Sequence, residues 1–207
     1  MTAAPLVVRV QTPEKGRYSV RCPDGFVARH GGRVVVKLDY GLDIAEVVDE
    51  RVHSDASPAF LIVRLAGPED AIAIAANESR ARAMREVFRE AARKVAPDVR
   101  VPYARLSLGG ERLFVRYVCE SRRLDPGKAI LAVRKECGVA VNAWQVGPRD
   151  EVRLVGALGP CGRACCCAAW QHKYPGGLAA DAARQKGQNP TGACGMFKCC
   201  LAFERED

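Results

Sequence analysis

Phe60-Leu61-Ile62-Val63-Arg64-Leu65-Ala66-Gly67-Pro68-Glu69-Asp70 is the stretch on which the fold turns. An apolar run from Phe60 to Leu65 reads as a short strand. Gly67-Pro68 followed by two acids then opens a helix, because proline suits the first helical position and negative charge suits a helix N-terminus. The helix is predicted to run to about Ala96 and to stop at Pro97. Ala81, Met84, Phe88, Ala91 and Val95 recur at helical spacing and are the expected buried stripe. Arg82, Arg85, Arg89 and Arg93 form a second stripe. It suits either a phosphate or acidic partner, or a solvated face on which Glu86 and Glu90 pair with the arginines.

Downstream, Val99 to Leu108 and Arg112 to Glu120 are strands joined by a hairpin at Gly109-Gly110. Asp125-Pro126 then starts a helix, with Asp125 as cap. Ile130, Val133 and Cys137 share one face of that helix, and Gly138 ends it. Val139 to Val146 is a last strand. Counted from Phe60, the order is β-α-β-β-α-β, a ferredoxin-like arrangement. The other assignment gives the Phe60 strand to the unit before it.

Upstream, strands are expected at Leu6 to Val10, Tyr18 to Cys22, Val34 to Leu38 and Ile44 to Val48. Turn signals at Pro23-Asp24-Gly25, His30-Gly31-Gly32 and Tyr40-Gly41-Leu42 separate them. The expected class is therefore α+β, in three parts. These are a small β-barrel-like unit over 1–56, a ferredoxin-like α/β unit over 57–150, and a Cys-rich metal-binding lobe over 151–207.

Seven of the ten cysteines of this 207-residue chain lie between Cys161 and Cys200. They form two copies of one pattern, Cys161-Gly162-Arg163-Ala164-Cys165-Cys166-Cys167 and Cys194-Gly195-Met196-Phe197-Lys198-Cys199-Cys200. Cys165 is an extra thiol in the first copy. A disulfide framework is disfavoured, because the segment from Met1 to Arg17 has an early Pro5, a short apolar patch and no small-residue cleavage site. Structural zinc suits the pairs Cys161/Cys166 and Cys194/Cys199. An iron–sulfur cluster uses the same thiolates, and the surplus over four ligands leans toward it. Spacing alone leaves both open.

Composition narrows the class further. Hydrophobic residues make up 48% of the chain, a globular value. No apolar run approaches the roughly 20 residues of a membrane helix, so a cytoplasmic protein is expected. The net charge of +8 permits contact with RNA or an acidic partner, but only 6% of residues are aromatic, few for base stacking. No phosphate-binding loop and no Gly-x-Ser-x-Gly nucleophile elbow occurs, so an enzyme is not expected.

The chain resembles the bacterial RicT (YaaT) family, which shares a polymerase-suppressor-type (PSP) C-terminal domain. The likeness is carried by Ser121-Arg122-Arg123-Leu124-Asp125, by Gln145-Val146-Gly147-Pro148-Arg149-Asp150-Glu151, and by Val155 to Arg163. Cys166-Cys167, Asn189-Pro190-Thr191, Gly192 to Gly195, and Cys199 to Glu204 carry the rest. Val34-Val35-Val36 and Tyr40-Gly41-Leu42 look like the family's opening. Met196 stands where the family usually has arginine. The resemblance implies a cytoplasmic regulatory adaptor, a non-enzymatic subunit working with two small helical partner proteins. It implies 4Fe–4S clusters, with Cys161, Cys166, Cys167, Cys194, Cys199 and Cys200 as candidate ligands. It also implies action on an endoribonuclease, hence on messenger RNA processing. The alternatives are a zinc-stabilised RNA-binding or RNase-associated module and a thiol redox protein.

The remaining candidates each have a plainer role. Cys165 is either a spare ligand or a buried thiol, while Cys22, Cys119 and Cys137 read as core residues. Arg163 and Lys198 either stabilise thiolates or are surface charges. His172 is the histidine nearest the cysteines, and a lone connector histidine is usually solvated. His30 and His53 have no suggestive neighbours.

Overall fold

The computed structural model describes residues 6–50, 59–120, 123–171, 173–186 and 190–204. His53, Ser121, Arg122, His172 and Asn189, singled out above, lie outside them. The chain divides into two compact units. One comprises Met1–Lys94, Ala104–Val115 and Pro126–Ala143, and the other Val95–Tyr103, Arg116–Asp125 and Trp144–Asp207.

The first unit contains a closed five-stranded barrel. Its strands are β1 (Val7–Gln11), β2 (Arg17–Arg21), β3 (Arg33–Leu38), β4 (Gly41–Asp49) and β5 (Phe60–Leu65), in the order β1-β2-β5-β3-β4. β1 closes on β4, β2 and β5 run parallel, and the other pairs are antiparallel. Val8, Val10, Val20, Val34, Val36, Val47 and Ile62 fill the interior and are fully buried. Register shifts at Arg9/Val10 and Val35/Val36 mark the irregularities by which a small sheet curls shut. Gly41 makes the β3–β4 turn at φ +104, a conformation that favours glycine.

The β5 placement corrects the ferredoxin-like expectation. The second sheet has three strands, β6 (Arg100–Leu106), β7 (Arg112–Val118) and β8 (Ala140–Gln145), in the order β6-β7-β8. The Phe60 strand is absent from it. Without β5, β2 and β3 would each expose a row of unpaired backbone N–H and C=O groups. β5 pairs with both and removes two edges at once. Its continuous apolar run fits either sheet, so periodicity could not choose between them.

Helix α1 spans Pro68–Arg93. Asp70 accepts a hydrogen bond from the Gly67 backbone N–H at 2.8 Å and a bidentate pair from Arg64 at 2.6 and 2.7 Å. The buried stripe is Asn77, Ala81, Met84, Phe88 and Ala92. Ala92 thus replaces the expected Ala91, and Val95 lies past the helix end. Glu86 pairs with both Arg85 and Arg89, and all three residues are half-buried. Asn77 donates to the carbonyls of Ser107 and Leu108, both at 3.0 Å, tying α1 to the β6–β7 hairpin.

Helix α2 (Gly127–Cys137) packs on α1 and buries Ala129 and Val133. Pro126 holds the N-cap position with no side-chain cap, in place of the expected Asp125, and Gly138 terminates the helix at φ 69. Cys22 and Cys119 are buried, as core residues should be, while Cys137 is half-buried. No described helix is long and apolar enough to cross a membrane.

Candidate metal centre

The second unit carries the cysteine motifs on three further helices and a 3-10 helix. Helix α3 (Pro148–Val155) follows β8, with Pro148 in its first turn. A four-residue helix, α4 (Cys166–Ala169), begins at the Cys-Cys pair of the first motif. Helix α5 (Gly176–Lys186) bridges the motifs, and the 3-10 helix Cys199–Phe203 begins at the second Cys-Cys pair.

Each motif is a tight turn feeding a short helix. In the first, Leu158 bridges Ala164, and Gly159 N–H donates to Arg163 O at 2.7 Å. In the second, Thr191 bridges Phe197, and Gly192 N–H donates to Met196 O at 2.8 Å. Gly162 and Gly195, which follow the first cysteine of each motif, both have φ +75. That left-handed geometry strongly favours glycine and accounts for the Cys-Gly pairs.

One cavity of about 260 Å³ is lined by both turns. Cys161, Cys165, Cys166, Cys167, Cys194, Cys199 and Cys200 all face it. All seven are free thiols; Cys161 is exposed, Cys165, Cys167 and Cys199 are buried, and the others are half-buried. Burial pushes the Cys165, Cys167 and Cys200 thiols up; at Cys200 the Glu204 carboxylate adds most to the effect, and at all three neighbouring cysteines contribute. Arg149 opposes it at Cys167. By donor type the lining fits a soft metal or an iron–sulfur centre. As the side chains stand, no group of three or more His, Cys, Asp or Glu among the described residues is arranged to hold a metal ion.

Lys198 lines the cavity, and the structure adds a cation that the motifs do not single out. Arg163 is exposed and Lys198 half-buried, whereas Arg149 is buried. Arg149 donates to the Gln171 carbonyl, and its guanidinium lies 5.6 Å from the Tyr174 ring centroid. Its neighbour Glu151 receives a bidentate pair from Arg100 at 2.8 and 2.7 Å. Gln145 accepts from Leu124 N–H and donates to Cys119 O, both at 3.0 Å. The stretch Gln145 to Glu151 thus ties α3 to Arg100, Cys119 and Leu124 and, through Arg149, to the Gln171 carbonyl just after α4. The signal was present in the run of polar residues around Gly147-Pro148, but only contacts distant in sequence reveal it.

A closed barrel joined to a lobe of twin cysteine turns is the class of protein these features define. Among curated proteins the chain is similar to the stage 0 sporulation protein YaaT of Bacillus subtilis (strain 168), with 23% identity over 167 residues. The match covers 78% of this chain and 60% of that protein, and it supports the RicT/YaaT likeness read from the motifs. No family model matches the chain, and no solved structure matches it.

Proposed function

We propose that this chain is a regulatory adaptor whose cysteine lobe holds an iron–sulfur centre of the 4Fe–4S kind. The observation that carries the reading is the convergence of seven thiols from two sequence-distant turns on one cavity. Thiol side chains gathered around one cavity have a plain chemical use as ligands to a soft metal, and binding one also organises the fold around it. Cys161, Cys166, Cys167, Cys194, Cys199 and Cys200 would be the ligand set. Backbone N–H groups of the turns would hydrogen-bond to sulfur, and Arg149 would offset negative charge.

The adaptor role rests on the likeness to YaaT, a stage 0 sporulation protein by name, and on the absence of any catalytic motif in the sequence. On this reading the protein works in the cytoplasm with small helical partner proteins and modulates an endoribonuclease. The Cys-x4-Cys spacing of Cys161/Cys166 and Cys194/Cys199 favours one alternative, a zinc-stabilised module that contacts RNA through its basic surface. Anaerobic purification of the full chain, with iron, sulfide and zinc measured per chain, tests the proposal. Matching iron and sulfide is the expected result. Stoichiometric zinc would favour the alternative, and neither metal would overturn both.

A further inference from the structure

The two cysteine turns are alike beyond their sequences. Advance every residue number by the step from Cys161 to Cys194, and three hydrogen bonds within the turns map onto one another. Gly159 N–H to Arg163 O becomes Gly192 N–H to Met196 O. Gly162 N–H to Gly159 O, 2.9 Å, becomes Gly195 N–H to Gly192 O, 3.0 Å. Cys165 N–H to Ala157 O, 2.9 Å, becomes Lys198 N–H to Pro190 O, 2.7 Å. The residues capping the short helices match too, with Cys165 at φ −53, ψ 132 and Lys198 at φ −56, ψ 124.

The likeness extends to packing. α3 packs on α4, α5 packs on the 3-10 helix, and the two short helices pack on each other. Each half is therefore a helix, a turn and a second helix. Trp170 and Phe203 are also related by the same step, and their ring centroids lie 5.3 Å apart. A contact between a residue and its own equivalent is the mark of a two-fold relation, as in an isologous interface; a head-to-tail relation would pair unlike positions.

Cys165 breaks the pattern informatively. Its equivalent is Lys198, which has no thiol. Cys165 is instead buried with Val152 and Cys167, with the partly buried Ala157 and Cys194 packed against them. Side-chain burial differs at all three pairs of equivalent cysteines: Cys161 is exposed and Cys194 half-buried, Cys166 half-buried and Cys199 buried, Cys167 buried and Cys200 half-buried. The backing residues differ correspondingly: Val152 of α3 in the first half, and Ala182 of α5 against Leu201 in the second.

We infer that the lobe is an internal two-fold repeat presenting two equivalent thiolate half-sites to one cavity. Cys161, Cys166 and Cys167 form one half-site, and Cys194, Cys199 and Cys200 form the other. Cys165 is a core thiol outside the set. The ligand class is a soft, thiophilic metal ion or cluster, and in this respect the inference rests on the proposed function.

The test uses the full chain, stripped of metal under reducing conditions and titrated with Cd²⁺, with thiolate-to-metal absorption as the readout and far-ultraviolet circular dichroism as the folding control. Cys161→Ser and Cys194→Ser should lose the same fraction of the signal, as should Cys166→Ser and Cys199→Ser. Cys165→Ala should keep the wild-type signal. Loss confined to one half of the lobe would overturn the inference, as would a Cys165→Ala loss equal to that of Cys166→Ser, or no Cd²⁺ signal in the wild type. If a substitution unfolds the lobe, Cd²⁺ protection of each wild-type cysteine from alkylation, read by mass spectrometry, decides instead. Equivalent cysteines should be protected alike, and unequal protection would overturn the inference. A chain that takes up Cd²⁺ symmetrically but is purified from its host without iron or zinc would sink the proposed function and leave this inference standing.

Discussion

Arg105 donates two hydrogen bonds, at 2.9 and 2.8 Å, to the fully buried carboxylate of Asp43. The same guanidinium reaches Glu14 and lies 5.0 Å from the Phe114 ring centroid. Tyr40 completes the cluster, its hydroxyl donating to Asp43 at 3.1 Å. Burial, then the nearby Asp43 charge, pushes the Tyr40 hydroxyl far up, so it remains a donor. Burial alone would weaken the charge on Arg105, but the hydrogen bonds it donates to Asp43 and Glu14 outweigh it.

Arg105→Met would leave Asp43 as an uncompensated buried charge. Loss of one partner of such a pair costs about 3–5 kcal/mol. A clear drop in the urea midpoint is expected. A midpoint within experimental error of wild type would show that the cluster contributes no net stability.

Asn77→Ala removes both donors to the Ser107 and Leu108 carbonyls. Leaving buried acceptors unsatisfied costs about 1–3 kcal/mol. Amide hydrogen exchange should speed up in the β6–β7 hairpin before it changes in the barrel strands. Uniform acceleration through both would contradict the local role given to Asn77.

The Arg100–Glu151 pair predicts an acid dependence. Hydrogen bonding from Arg100 holds the Glu151 carboxyl below its ordinary 4.5, against the upward pull of burial. A carboxyl depressed in the folded state contributes stability that is complete above its unfolded value and fades as pH falls through the folded one. Arg100 is partly exposed, so the contribution is screened to about 0.5–1 kcal/mol. Glu151→Gln should therefore be less stable than wild type at pH 7, with the gap closing below about pH 4. The comparison is made by thermal melts across pH, and a gap that widens in acid would reverse the assignment.

The Trp170–Phe203 contact is open to a double-mutant cycle. Tilted aromatic pairs contribute about 0.5–1.5 kcal/mol beyond area burial, and these exposed rings belong at the lower end. Trp170→Ala and Phe203→Ala should each destabilise the lobe, and the double variant should cost less than the two added together. Strict additivity would mean the rings do not meet in solution.

Under the proposed function, removing the metal should loosen the lobe and spare the barrel. Chelation is expected to increase proteolysis between Cys161 and Phe203 while the barrel strands stay resistant. Binding requires deprotonated thiols, so metal release should grow as pH falls. Equal protection of the lobe with and without chelator would count against a metal role.

Much of the molecule was legible in one dimension. The β-branched runs from Val7 to Val47, the helix opened by Gly67-Pro68 and the glycine stop at Gly138 are local signals, set by backbone sterics and a short repeat. The twin cysteine pattern was equally plain, because the left-handed turns at Gly162 and Gly195 require a residue type that shows in the sequence. Two matters lay beyond that reach. An apolar run such as Phe60 to Val63 has no preferred sheet until β2 and β3 stand with open edges, and only barrel closure settles where it pairs. Likewise Arg149 becomes a buried cation of the lobe, and seven thiols share one cavity, because segments far apart in the chain pack together. Spacing along a strand or helix is local, whereas partner choice is set by which edges and faces remain to be covered once the chain has collapsed.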